Sequence, residues 1–175
     1  SDLSAAQGGL KPGPHGGEGG TVSDGRGPSP ASTKTPDGGA VKRGDTWKRQ
    51  AAAEDGAVRK HWRGKTRVAL VYPNRYAVGM SNLGLHAVYA ILNDREDVVC
   101  ERVFLPEDDA PAAGRLVTLE SGQPVAAADI VAFSLSFESD YPHLLTLLRL
   151  AGIPPRASER DAAHPLIIAG GVACF

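Results

Sequence analysis

Three clusters of small and polar residues follow directly on apolar runs, and there the sequence has the means to hold a ligand. The first spans Pro73 to Gly84 and contains Asn74, Tyr76, Gly79, Ser81, Asn82 and Gly84. The second is Ser134 to Tyr141, with Ser134, Ser136 and Glu138, and the third is the pair Gly170-Gly171. Glycines permit tight turning and close approach of backbone to a bound group. Ser81, Asn82 and the free amides of a helix starting there can hold an anion. Ser134, Ser136 and Glu138 alternate, so at a strand end they point the same way. The same residues also have a structural reading: the glycines turn the chain, Asn82 caps one helix and Glu138 caps the next. No nucleophile stands beside an evident base, and no phosphate-loop pattern occurs. His86 and His143 each lie in a helical stretch without a second ligand at metal spacing. Neither a catalytic residue nor a metal site is predicted.

Positioning these clusters falls to alternating strands and helices. Arg67–Pro73 is a nearly continuous β-branched apolar run, as expected of a strand buried on both faces of a parallel sheet. Asn82–Asn93 has helical spacing, with Leu83, Val88, Ile91 and Leu92 as its expected apolar face and Leu85 and Tyr89 nearby. Val98–Leu105 reads as a second strand, Leu116–Val125 as a small extended element or hairpin, and Asp129–Leu135 as a third strand. Tyr141–Ala151 reads as a leucine-rich helix ended by Gly152 and kept from resuming by Pro154 and Pro155. Pro165–Gly171 is a fourth strand. This order predicts a flavodoxin-like open parallel α/β sheet, with the first strand between the second and third. Ligands of such sheets sit beyond the carboxyl ends of the strands, at the switch point. That would bring the Asn74–Asn82 and Ser134–Tyr141 loops together. No helix follows the fourth strand, so the sheet is expected to be cut short at its C-terminal side and only marginally stable.

Residues 1–45 are rich in Gly, Pro, Ser, Thr and Lys, with only scattered large apolar side chains. Such a stretch cannot offset its ordering entropy and is expected to be a disordered tail. Residues 46–65 read as a basic helical linker, with a weak helix over Thr46–His61, and residues 66–175 as the α/β domain. The basic run Lys42–Arg67 has two readings, a solvated linker or a patch for an anionic partner. With a net charge of −1, nucleic acid is not the expected partner. No apolar run is long enough to span a membrane. No secretory signal is visible, and two isolated cysteines make no disulfide framework, so a cytoplasmic location is expected.

The run from Arg67 to His86 resembles the opening of the N-terminal domain of a group of radical-SAM proteins. Glu101–Pro106, Leu119–Ser121, Asp129–Ser136, Leu150–Pro154, Ser158–Arg160 and Pro165–Gly171 continue the resemblance in order. It implies a cobalamin-binding-like domain preceding a barrel of the same polypeptide. In that family three closely spaced cysteines of the barrel hold a four-iron four-sulfur cluster that cleaves S-adenosylmethionine. Cys100 and Cys174 do not match that motif, so any such chemistry belongs to the parent enzyme. Cobalamin domains with a cobalt-ligating histidine carry Asp, His and Gly where this chain has Asn74, Tyr76 and Gly79. The resemblance therefore leaves two expectations, a substrate or cobalamin cleft or a fold retained without the cofactor. A different reading of the whole chain is a non-catalytic protein-interaction scaffold.

Overall fold

The computed structural model describes residues 46–107 and 116–175. The expected disordered tail lies outside these, as does part of the irregular stretch after Pro106. Four strands, β1 (Thr66–Arg75), β2 (Val98–Leu105), β3 (Ile130–Ser134) and β4 (Leu166–Gly170), form one sheet of order β2-β1-β3-β4. All three pairings are parallel. Helices α1 (Thr46–Ala53), α2 (Tyr76–Met80), α3 (Leu83–Asp94) and α4 (Tyr141–Ala151) complete the fold. The flavodoxin-like α/β sheet expected from the sequence is the one observed.

Period-two alternation divides the strand residues between two cores. Val68, Leu70 and Tyr72 of β1 pack with Leu85 and Tyr89 of α3, while Ala69 and Val71 pack with Leu147 and Leu148 of α4. Fully burying each of these larger side chains contributes about 1.5–3 kcal/mol. Helix α4 ends as the sequence indicates. Gly152 takes φ +73°, its amide donates to Arg149 O, and Ile153 N donates to Leu148 O, closing a Schellman turn.

Helix α3 differs from expectation. Its buried side chains are Leu85, Tyr89 and Asn93, whereas Leu83 and Ile91 are 84% and 68% exposed and Val88 is also exposed. Apolar residues surround this helix, and the sheet, rather than composition, selects the stripe that is covered. Leu145 of α4 is likewise exposed.

The N-terminal segment also departs from its reading. Its helix stops at Ala53, eight residues short of His61, and an extended strap follows. Two lysines of the strap serve the fold. Lys60 Nζ donates to Asn93 O and Arg95 O at the C-terminal end of α3 and to Val98 O at the start of β2, and Lys65 Nζ reaches Glu96 O. A cation there satisfies open carbonyls and opposes the negative end of the helix dipole. The predicted hairpin over Leu116–Val125 shrinks to a single antiparallel bridge, Val117 to Pro124.

The two edges of the sheet are treated unequally. An open edge exposes unpaired amides and carbonyls. On β2, Asn93 lends its side-chain amide to Cys100 on both sides, accepting from Cys100 N (3.1 Å) and donating to Cys100 O (2.9 Å). Two residues on, Leu119 N donates to Arg102 O (2.8 Å) and Arg102 N donates to Glu120 Oε2 (2.7 Å). Strand β4 has no such covering among the described residues, and Leu166 and Ile168 are exposed.

Asn93→Ala removes both partners of the buried Cys100 backbone and is expected to lower unfolding free energy by about 2–4 kcal/mol, read from urea denaturation. A pH effect follows from Asp129, which accepts from Arg67 N (2.8 Å) and Nε (2.9 Å). The side-chain bond to Arg67 holds the Asp129 carboxyl at about 2. Its ordinary value is about 3.9. Because the folded value is depressed, the stabilisation is complete above pH 4 and disappears as pH falls through about 2. Both side chains are more than a third exposed, so solvent screening keeps the effect small. Asp129→Asn should flatten the acid limb of a stability–pH profile between pH 4 and 2.

Candidate functional site

Parallel strands place every strand-to-helix loop at one end of the sheet. Beyond β1 lies the Asn74–Asn82 loop, which contains α2, and beyond β3 lies Leu135–Asp140, which ends in a short 3-10 turn (Glu138–Asp140). The strand order reverses direction at β1, with β2 on one side and β3 on the other, so these loops flank the switch point.

Asn82 joins them. Its Oδ1 accepts from Leu85 N (2.9 Å), capping α3, while its Nδ2 donates to Ser136 Oγ (3.1 Å). Asn74 reaches across as well, with Nδ2 3.5 Å from Asp140 Oδ1, and its own Oδ1 accepts from Arg75 N. Asp140 is completely buried and also accepts from Phe137 N (3.2 Å). His143 Nδ1 lies 3.0 Å from Pro73 O, a bond that requires the proton on Nδ1. His86 holds the other side of the loop, its Nε2 2.8 Å from Met80 O. Both histidines therefore brace the rim.

The predicted residues do not all lie together. Asn74, Asn82, Ser136 and the exposed Glu138 lie on the shared rim, and Ser134 pairs with Gly170 in the sheet at its margin. A Cβ on Gly170 would meet nothing within 4 Å, so space opens in front of it. Gly171, at φ +121°, is explained by packing: a Cβ there would stand 2.2 Å from Leu135 O. Ser81 Oγ donates to Val78 O (2.7 Å), closing α2, and Gly84 is exposed in the first turn of α3.

Tyr76 and Gly79 turn away from that rim. A Cβ on Gly79 would lie 2.3 Å from the Phe104 ring, so the glycine admits Phe104. The Tyr76 ring packs edge-on against Phe104 at 5.3 Å, and its hydroxyl donates to Glu54 Oε1 (2.6 Å). Burial, aided by that bond to Glu54, pushes the phenol up to about 12. A protonated phenol committed to a carboxylate does not suit cobalt ligation. The position aligned with the histidine of cobalt-ligating domains therefore does not fit that role. Among the described residues no cluster of His, Cys, Asp or Glu could hold a metal.

Tyr76 leads to a charged network that the sequence reading missed. Arg102 is 3% exposed in its side chain. Its Nε donates to Glu120 Oε1 (2.7 Å), one Nη to Glu54 and the other to Met80 Sδ (3.2 Å). The guanidinium also lies over the Tyr89 ring, 4.5 Å from its centre. Burial disfavours its charge, but the two carboxylates outweigh that, and the pKa is raised. At Glu120 burial pushes the carboxyl up and outweighs the downward pull of Arg102, so at this group desolvation exceeds the gain from pairing. Two adjacent charged residues, Glu101 and Arg102, inside the apolar run Val98–Leu105 were the available signal. Buried charges require partners. An open cleft of about 630 Å³ lies beside this network, away from the rim, between α1 and Glu120-Ser121.

The family described as radical SAM proteins, N-terminal, matches residues 84–175, just over half of the chain. The chain belongs to that family. The match takes in Gly84, Ser134, Ser136, Glu138, Gly170 and Gly171, whereas the strap, β1 and the Asn74–Asn82 loop precede it. No curated protein and no solved structure matches the chain.

Two substitutions separate the roles of Asn82. Asn82→Ala loses the helix cap and the link to Ser136, and should destabilise by about 1–2 kcal/mol. Ser136→Ala loses the link alone and should destabilise by at most about 1 kcal/mol. Urea unfolding of both variants provides the comparison.

Proposed function

We propose that this radical-SAM N-terminal domain lines a small-molecule cleft with its rim, next to the iron–sulfur and S-adenosylmethionine barrel of the same polypeptide. The observation that carries this reading is the Asn82–Ser136 bond, which joins the loops after β1 and β3 beside the switch point. Open space before Gly170 and the exposed Glu138 carboxylate give the rim room and a hydrogen-bond acceptor. The ligand is a substrate of the parent enzyme or a corrinoid held without a side-chain ligand to cobalt. In the corrinoid case Asn82, Ser136 and the backbone at Gly170 would hold its polar periphery, and the corrin would supply the cobalt chemistry.

The protein is read as cytoplasmic. Support comes from its two unpaired cysteines, Cys100 buried and Cys174 exposed. No helix among the described residues is long and apolar enough to cross a membrane. A scaffold function has its own support in the exposed apolar residues of α3 and β4.

One pair of variants distinguishes these readings in the full-length parent protein. Glu138→Ala and Ser136→Ala should each reduce turnover by about tenfold, the equivalent of one lost hydrogen bond of about 1.4 kcal/mol, with iron content unchanged. Turnover at the unsubstituted level in both would reject the cleft and favour the scaffold. Gel filtration after incubation with hydroxocobalamin separates the two ligands. Retained corrinoid absorbance identifies the corrinoid, and its loss leaves the substrate.

A further inference from the structure

The strap reaches α2, within the loop after β1, through Glu54. One oxygen of this carboxylate accepts from Tyr76 OH, and the other accepts from Arg102. Arg102 in turn contacts Met80 Sδ. Tyr76 and Met80 are the first and last residues of α2, so one carboxylate and one guanidinium hold both ends of this helix. Five residues are far too few for a helix to persist on its own propensity. Its apolar contacts include those of Tyr76 and Gly79 with Phe104 and of Gly79 with Tyr72, while Ala77 and Val78 are exposed.

Glu54 is itself fixed from two directions. On one side Trp47 of α1 packs over Gly122, where a Cβ would lie 2.3 Å from the indole. Arg59 folds back on the other side to donate to Ala51 O (2.9 Å), and Val58 N donates to Tyr89 OH (2.9 Å). The strap thus crosses the body from the Ser121-Gly122 turn to the end of α3, with Glu54 held beneath it against β2. Its side chain is 9% exposed.

We propose that Glu54 and Arg102 are positioning residues for the rim, and that the strap sets the placement of α2 through the Glu54–Tyr76 bond. The strap precedes the family-matched stretch and acts on the loop between Asn74 and Asn82. This positioning does not require the rim to bind a ligand. It is tested without one, and a failed ligand experiment leaves it standing.

Amide hydrogen exchange on the 175-residue chain provides the test. Tyr76→Phe deletes the hydroxyl and keeps the ring against Phe104. It should speed exchange in peptides covering 76–82 by about three- to tenfold, the worth of one hydrogen bond, with β1, β3 and α4 unchanged. Glu54→Ala should do the same, and Glu54→Gln, which keeps an acceptor for the phenol, should restore most of the protection. A merely structural role would instead raise exchange throughout the sheet. Unchanged exchange at 76–82 in Tyr76→Phe, or a uniform increase in every peptide, would overturn the proposal. If Glu54→Ala does not fold, Tyr76→Phe decides alone.

Discussion

A guanidinium buried in an edge strand is the constraint around which much of this domain is arranged. Desolvating Arg102 carries a penalty of several kcal/mol unless its donors are met. The chain meets them with Glu54 of the strap, Met80 of α2 and Glu120 of the turn after Thr118, and lays the ring of Tyr89 from α3, a fourth segment, against the guanidinium face. Each partner is brought in by a different part of the sequence, so satisfying one charge fixes the relative positions of all four. The same residue closes the outer edge of β2, because Glu120 and Leu119 also take up its backbone groups. Strand β2 therefore behaves as an interior strand although it stands at a margin.

The rim depends on a different economy of contacts. Parallel pairing alone delivers the loops after β1, β3 and β4 to one end of the sheet. It does not fix their spacing. Asn82 does so with a single side chain, capping α3 with its oxygen and holding Ser136 with its amide nitrogen. Buried Asp140 and the His143 contact with Pro73 reinforce the same seam from the α4 side. Polar groups used in this way leave Glu138 and the space before Gly170 facing outward.

The fold was legible where local chemistry and burial agree. The run Arg67–Pro73 has the continuous β-branched apolar character of a strand buried on both faces of a parallel sheet, and Gly152 followed by Pro154 and Pro155 marked the end of α4. Asn82 as a cap was likewise readable from its position before a helical repeat. The covered face of α3 was not, because Leu83, Leu85, Val88, Tyr89, Ile91 and Leu92 offer apolar side chains all around the helix. Only the sheet decides among them. The strap was obscured for a related reason: Lys60 and Lys65 bind carbonyls more than thirty residues away, and no local pattern encodes such partners. Tyr76 and Gly79 had the spacing of a cofactor loop, yet their neighbours are Glu54 and Phe104, which sequence distance conceals. Their surroundings bear on the cofactor directly, since a phenol tied to a carboxylate is unavailable to cobalt.

The central claim is that the loops following β1 and β3 share one rim, and a distance measured across it is the most direct test. Val78 and Phe137 are both exposed, one on each loop, and spin labels there report the separation once Cys174 is replaced by Ser. A single narrow distribution at short distance is the predicted result. A broad distribution, or one longer by roughly 17 Å, the length of a five-residue strand, would place the two loops apart and contradict the account.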